Sequence, residues 1–228
     1  MTSTVTSVGG IVLCGGRSAR MGQPKHLLPF GAETMLQRVI RTLSEVVSPI
    51  VVVAAPEQPL PQLGNDVIVA HDEQEGLGPL GGLSIGLSIL RRTVEAAYVS
   101  SCDVPLLRPQ FVEWMIESLQ SHELAIARDG KYHHPLAAVY RTSLEDKVRE
   151  LMAANRMRPI FLINECDSQI VEVEELREVD PELNSLRNIN TPEDYQTALS
   201  VAGLDPRTLQ EATDHSLIQN AETNRRNK

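Results

Sequence analysis

The chain has 228 residues, of which 42% are hydrophobic, 22% charged and only 4% aromatic, enough for one sizeable α/β core. Lys and Arg total 21 against 30 Asp and Glu, a formal net charge of −9 that argues against duplex nucleic acid or an anionic membrane as the main partner. No apolar run reaches a membrane span, Met1 to Ser7 lacks the pattern of a secretory signal, and Cys14, Cys102 and Cys166 form no C-x-x-C pair, so a soluble, cytoplasmic chain without disulfides or a zinc site is expected.

Val8 to Cys14 is a β-branched and apolar run that ends in Gly15-Gly16, which reads as a buried strand feeding a glycine loop. Thr34 to Val47 carries apolar residues at helical spacing, and Pro49 to Ala55 and Asp66 to Ala70 read as strands separated by a Pro-rich turn. Leu80 to Leu90 is again helical, followed by a strand from Ala96 to Ser101 that stops at Cys102-Asp103. A helix over 108–120, strands at Leu124 to Ala127 and Leu136 to Tyr140, and a helix from Leu144 to Ala154 come next. Pro159 to Ile163 and Ile170 to Val173 read as short edge strands. Thr191-Pro192-Glu193-Asp194 is a helix start, with Thr191 as N-cap, which leaves Asn188 and Asn190 in the loop before it. The alternation predicts an α/β fold, a single doubly wound, mostly parallel sheet with helices on both faces, spanning residues 1–202. A polar, loosely attached tail is expected over 203–228.

The segment from Leu13 to Lys25 (LCGGRSARMGQPK) combines paired glycines, a hydroxyl, two arginines and a lysine. Glycines let backbone N–H groups approach phosphate oxygens, and the cations offset phosphate charge, so the loop reads as a polyphosphate cradle at a strand end. Five residues separate Gly16 from Gly22, and Gln23 follows it, so this is not a Walker A loop. Asp103, just past a strand end, sits where a carboxylate would face the same crevice and hold Mg²⁺, although on spacing alone an Asp before Val-Pro reads equally as a turn cap.

The order L-x-G-G-x-S-x-R-M-G followed by Lys25 resembles the signature of nucleotidyltransferases, and in particular of the molybdenum cofactor guanylyltransferases. Four further segments match in order: Gly78-Pro79-Leu80-Gly81-Gly82, Cys102-Asp103-Val104-Pro105, His134-Pro135-Leu136 and Asn188 to Asp194. The resemblance implies a nucleotide-diphospho-sugar transferase-like, Rossmann-like fold and transfer of GMP from GTP to the terminal phosphate of molybdenum-molybdopterin. It also implies roles for individual residues. Leu13, Cys14, Gly15 and Gly16 would read the base, with Gly15 favouring guanine over the cytosine read by relatives that carry Ala there. Asp72, Gly78 and Gly82 would lie on the guanine side. Lys25 and Arg20 would hold the phosphates, Asp103 would bind Mg²⁺, and Asn188 and Asn190 would contribute to the acceptor side. Pro24 stands where the family usually has Asp, and Ala54-Ala55 where some members have Asn.

Cobinamide-phosphate, sugar-phosphate and cytidylyl transfer use the same loop chemistry and remain alternatives. Gly76 to Gly81 also matches the dinucleotide fingerprint G-x-G-x-x-G, but the acidic stretch Asp72 to Glu75 would repel a pyrophosphate. A non-catalytic reading has the acidic surface and polar tail docking cofactor-insertion chaperones or molybdoenzymes. His133 and His134, being adjacent, point to opposite faces of an extended segment and cannot share a metal.

Overall fold

A computed structural model describes residues 7–15, 23–72 and 77–205. In chain order it contains β1 (Val8–Leu13), a small hairpin of β2 (Pro29–Phe30) and β3 (Glu33–Thr34), α1 (Met35–Ser44), β4 (Ile50–Ala54), β5 (Val67–His71), α2 (Gly78–Leu90), β6 (Ala96–Ser101) and α3 (Pro109–Leu119). Then follow β7 (Leu124–Asp129), β8 (Tyr132–Arg141), α4 (Glu145–Ala153), β9 (Ser168–Glu172), α5 (Val173–Leu176) and α6 (Pro192–Val201).

Seven strands form one sheet in the order β5-β4-β1-β6-β8-β7-β9, with only β8 running against the others. The central strands are apolar without interruption because both faces are covered. Val12 and Cys14 face α1 and α3, whereas Ile11 and Leu13 face α2 and α4. Leu80, Leu83, Leu87 and Leu90 put one side of α2 into the second core, and each contributes about 1.5–3 kcal/mol on burial. From β1 the chain first moves outward to β4 and β5, then crosses back to place β6 on the other side of β1. The carboxyl ends of β1 and β6 therefore flank the switch point of the sheet, where open α/β sheets bind ligands.

Three details differ from the expectations drawn above. Pro159–Asn164 is a 3-10 helix and not a strand. The edge position beside β7 is filled by β9, and a short apolar run bounded by Pro carries no period that separates strand from helix. The strand expected from Leu136 begins at Tyr132, so the pair His133-His134 lies inside β8. Its register against β7 jumps from Ile126↔Ala138 to Ala127↔His134, so Pro135, Leu136 and Ala137 bulge out, the place in a sheet that accepts proline. Finally, the helix expected from Leu80 begins at Gly78, so Gly78–Gly82 forms the first turns of α2.

The cap read from sequence at Thr191 is present, and α1 has one of the same kind that the sequence reading did not name. Thr34 opens α1 in a capping box with Gln37, and Thr191 opens α6 in one with Asp194. Helix α6 ends on Gly203 at φ +70°, with the amides of Gly203 and Leu204 returning to the carbonyls of Ser200 and Leu199. Among the described residues no helix is long and apolar enough to cross a membrane.

Candidate active site

Strand pairing brings the two chemically informative segments side by side. Leu13 pairs with Ser101 in parallel register, and the Cys102 amide donates to the Leu13 carbonyl at 3.1 Å. The first glycine segment and Asp103 thus leave adjacent strands at the same edge. Across from them, the Lys25 ammonium donates to Asp103 Oδ2 at 3.0 Å and to Asn190 Oδ1 at 2.9 Å. Asn188 Nδ2 donates to Asp103 Oδ1 at 2.8 Å. Four residues singled out in the sequence, Lys25, Asp103, Asn188 and Asn190, therefore form one hydrogen-bonded cluster at the switch point. The Lys25 and Asp103 side chains retain 18% and 15% of their exposure, enough for a ligand to reach them.

The asparagines owe their placement to alternation in an extended segment. Ile189 is buried against Leu28, Phe30 and Met35, and its amide donates to the Asp103 carbonyl at 2.9 Å, so its two neighbours turn the other way. Asp194 Oδ2 accepts the amides of Asn190 and Thr191, each at 2.9 Å, and fixes the end of the segment. Those bonds, first from Asn190 and then from Thr191, hold the Asp194 carboxyl below its usual range. A carboxylate with a depressed folded-state pKa stabilises the fold above the unfolded value, and the contribution disappears as pH falls through the folded one. Thr191→Ala removes the reciprocal cap, and we expect a loss of about 1 kcal/mol, or about 2–4 °C in Tm at neutral pH. Thermal melts of the variant and wild type measure this.

The remaining predicted residues are distributed as follows. Among the described residues nothing stands within 4 Å of where a Cβ on Gly15 would be. Cys14 is pinned by three bonds: its amide donates to the Val53 carbonyl at 2.8 Å, and Gln58 Nε2 donates to its carbonyl at 2.7 Å and approaches its Sγ at 3.4 Å. Among the described residues the Leu13 carbonyl accepts from the Cys102 amide and the Cys14 carbonyl from Gln58, which leaves each a second lone pair. Asp72 hangs from the Ala54 carbonyl through its amide at 2.9 Å, and its Oδ2 lies 3.2 Å from where a Cβ on Gly81 would be. That places the carboxylate over the first turns of α2, where the dinucleotide reading would require a pyrophosphate. Gly78 opens α2 at φ +62°, and Gly82 is buried against Leu13. Gly16 and Arg20 lie outside the described residues.

Residues to which the sequence reading gave no role complete the frame. Gln58 also accepts the Ala55 amide at 3.0 Å and bonds His26 Nδ1 at 3.1 Å, while His26 Nε2 meets the Pro59 carbonyl at 2.8 Å. The network assigns the His26 proton to Nε2, so both ring nitrogens are engaged and His26 is not poised as a base. The Ser101 hydroxyl donates to Asp103 Oδ1. Cys102, hydrogen-bonded to Cys14 and buried, has its thiol pKa pushed up, as suits a packed and inert side chain. All three cysteines are free.

An α/β sheet with a carboxylate and a lysine facing each other at its switch point has the layout of an enzyme that moves nucleotidyl groups. The comparisons with known proteins make the assignment specific. A family model described as a MobA-like NTP transferase domain matches residues 10–169, and the chain belongs to this family of nucleotidyltransferases. A relative from Mycobacterium avium named "Probable molybdenum cofactor guanylyltransferase" is 37% identical over 197 residues, covering 83% of this chain and 93% of its own. A relative of the same name from Methanosarcina acetivorans is 32% identical over 212 residues, covering 86% and 92%. The crystal structure of molybdopterin-guanine dinucleotide biosynthesis protein A from Archaeoglobus fulgidus superposes with a TM-score of 0.70 at 23% identity, covering 87% of this chain and 99% of that one. It shares the fold.

Proposed function

We propose that the chain transfers GMP from GTP to the terminal phosphate of molybdenum-molybdopterin, releasing pyrophosphate and forming the guanine dinucleotide cofactor. The observation that carries this reading is the Lys25 bridge between Asp103 and Asn190 at the switch point, in a chain of this family. An acceptor phosphate oxygen attacks the α-phosphorus of GTP, and the bond from that phosphorus to the bridging oxygen of the β-phosphate breaks. A phosphate monoester is already anionic at neutral pH, so the site needs position and charge neutralisation rather than a strong base.

In this reading Lys25 leaves Asp103 to hold the β- and γ-phosphates, with Arg20 assisting. Gly15, Gly16 and the carbonyls of Leu13 and Cys14 meet the guanine, Asp72 and the glycines of α2 bound its other side, and Asn188 and Asn190 face the acceptor. Among the described residues no group of three or more His, Cys, Asp or Glu side chains gathers as a metal site. One carboxylate flanked by asparagines nonetheless fits Mg²⁺, which takes one or two protein carboxylates and completes its shell with phosphate and water. Asp103 would hold that ion, which when bound neutralises charge on the reacting phosphates. The catalytic unit spans residues 1–202 in this account, and its site of action is the cytoplasm.

Thermal melts with GTP, CTP, ATP and UTP, each with and without Mg²⁺, test the nucleotide half. GTP at about 100 times its Kd stabilises by about 2.7 kcal/mol, strengthened by Mg²⁺. Preference for CTP would move the chain to cytidylyl transfer.

A further inference from the structure

The two oxygens of Asp103 are not equivalent. Oδ1 accepts from the Ser101 hydroxyl and from Asn188 Nδ2 at 2.8 Å, and the same Nδ2 lies 3.5 Å from Ser101 Oγ. Oδ2 faces only a cation among these partners, the Lys25 ammonium at 3.0 Å. Ser101 is the last residue of β6, buried and paired with Leu13, so its hydroxyl is held by the sheet itself.

An oxygen that already accepts two hydrogen bonds has its lone pairs committed, whereas the oxygen that now meets the ammonium can exchange it for another cation. Ca²⁺ gathers six to eight oxygens and readily takes both oxygens of one carboxylate. Mg²⁺ demands a compact octahedron, which one oxygen per carboxylate satisfies. Neither the family match nor the chemistry of transfer gives Ser101 a task.

We infer that Ser101, together with Asn188, is a positioning residue that restricts Asp103 to one-oxygen coordination through Oδ2 and so selects a small octahedral divalent cation over Ca²⁺. The inference rests on the proposed role of Asp103 as the cation ligand. Removing the hydroxyl leaves Oδ1 with Asn188 as its one donor among these partners and frees a lone pair, so that a larger ion can draw on both oxygens.

The test is electron paramagnetic resonance of Mn²⁺ bound to the full chain with GTP and no acceptor, displaced by Mg²⁺ or by Ca²⁺. Keeping GTP constant makes cation binding by the nucleotide common to every variant. Wild type requires more Ca²⁺ than Mg²⁺ to release Mn²⁺. In Ser101→Ala the ratio of the two requirements is expected to fall about tenfold, the size of effect seen when a partner of a metal ligand is lost, and Ser101→Thr is expected to keep the wild-type ratio. A purely structural role would lower the melting temperature of Ser101→Ala and leave the ratio alone. An unchanged ratio, with Mn²⁺ binding still lost in Asp103→Ala, overturns the inference while the cation role of Asp103 stands. Undiminished Mn²⁺ binding in Asp103→Ala overturns both. Should Ser101→Ala fail to fold, Asn188→Ala removes the other donor to Oδ1, and the same fall in the ratio is expected.

Discussion

Asp103→Ala and Lys25→Ala are each expected to lower guanylyl transfer by about a hundred- to a thousandfold, the range found when one preorganised charge partner of a transition state is removed. The two losses should not add. In the free protein the side chains are partners at 3.0 Å, and in the proposed reaction both offset charge along one triphosphate, so the double variant should fall little below the weaker single one. Steady-state kinetics on the four proteins, with melts to confirm folding, form the cycle. Near-normal turnover in Asp103→Ala, still dependent on Mg²⁺, would contradict the mechanism.

Gly86→Val is expected to cost about 3 kcal/mol or more in stability, or roughly 6–12 °C in Tm. A Cβ at this position would lie 2.7 Å from both Cδ1 and Cγ2 of Ile11, and Ile11 is fully buried on β1, an interior strand between β4 and β6. Alanine there would recover about 1 kcal/mol of helix propensity against the same clash, so valine, which adds two more carbons, is the sharper probe. Combining it with Ile11→Ala should restore part of the loss, because the cavity accepts the new side chain. The outcome matters for function because α2 lies against β1 along this seam, and β1 ends at Leu13, where the proposed nucleotide-binding segment begins. A Gly86→Val melt within about 1 °C of wild type would mean that helix and strand do not pack as described.

The sheet was legible because strands buried on both faces leave an uninterrupted apolar record, as at Val8 to Leu13 and Ala96 to Ser101. The cluster was legible residue by residue but not as a cluster. Lys25 and Asn190 are 165 positions apart, and only the folded sheet shows that they share a hydrogen bond. Gln58 left no sequence signal, since its partners Cys14 and His26 lie 44 and 32 positions away and a glutamine in a Pro-rich turn reads as solvated. Ser101 was equally silent, because a small hydroxyl at a strand end fits the core as well as a carboxylate. Thr191 was readable because a cap acts within one turn. The 3-10 helix at Pro159–Asn164 was misread for the opposite reason, its conformation being decided by what had already filled the sheet edge.

Guanylyl transfer is measured by supplying the purified full chain with Mg²⁺, molybdenum-molybdopterin and either GTP or CTP labelled on the α-phosphate. Label is expected in a pterin dinucleotide from GTP, with one pyrophosphate released per product, and little or none from CTP. Label carried over preferentially from CTP, or pyrophosphate released from GTP with no label reaching the pterin, would contradict the proposed function.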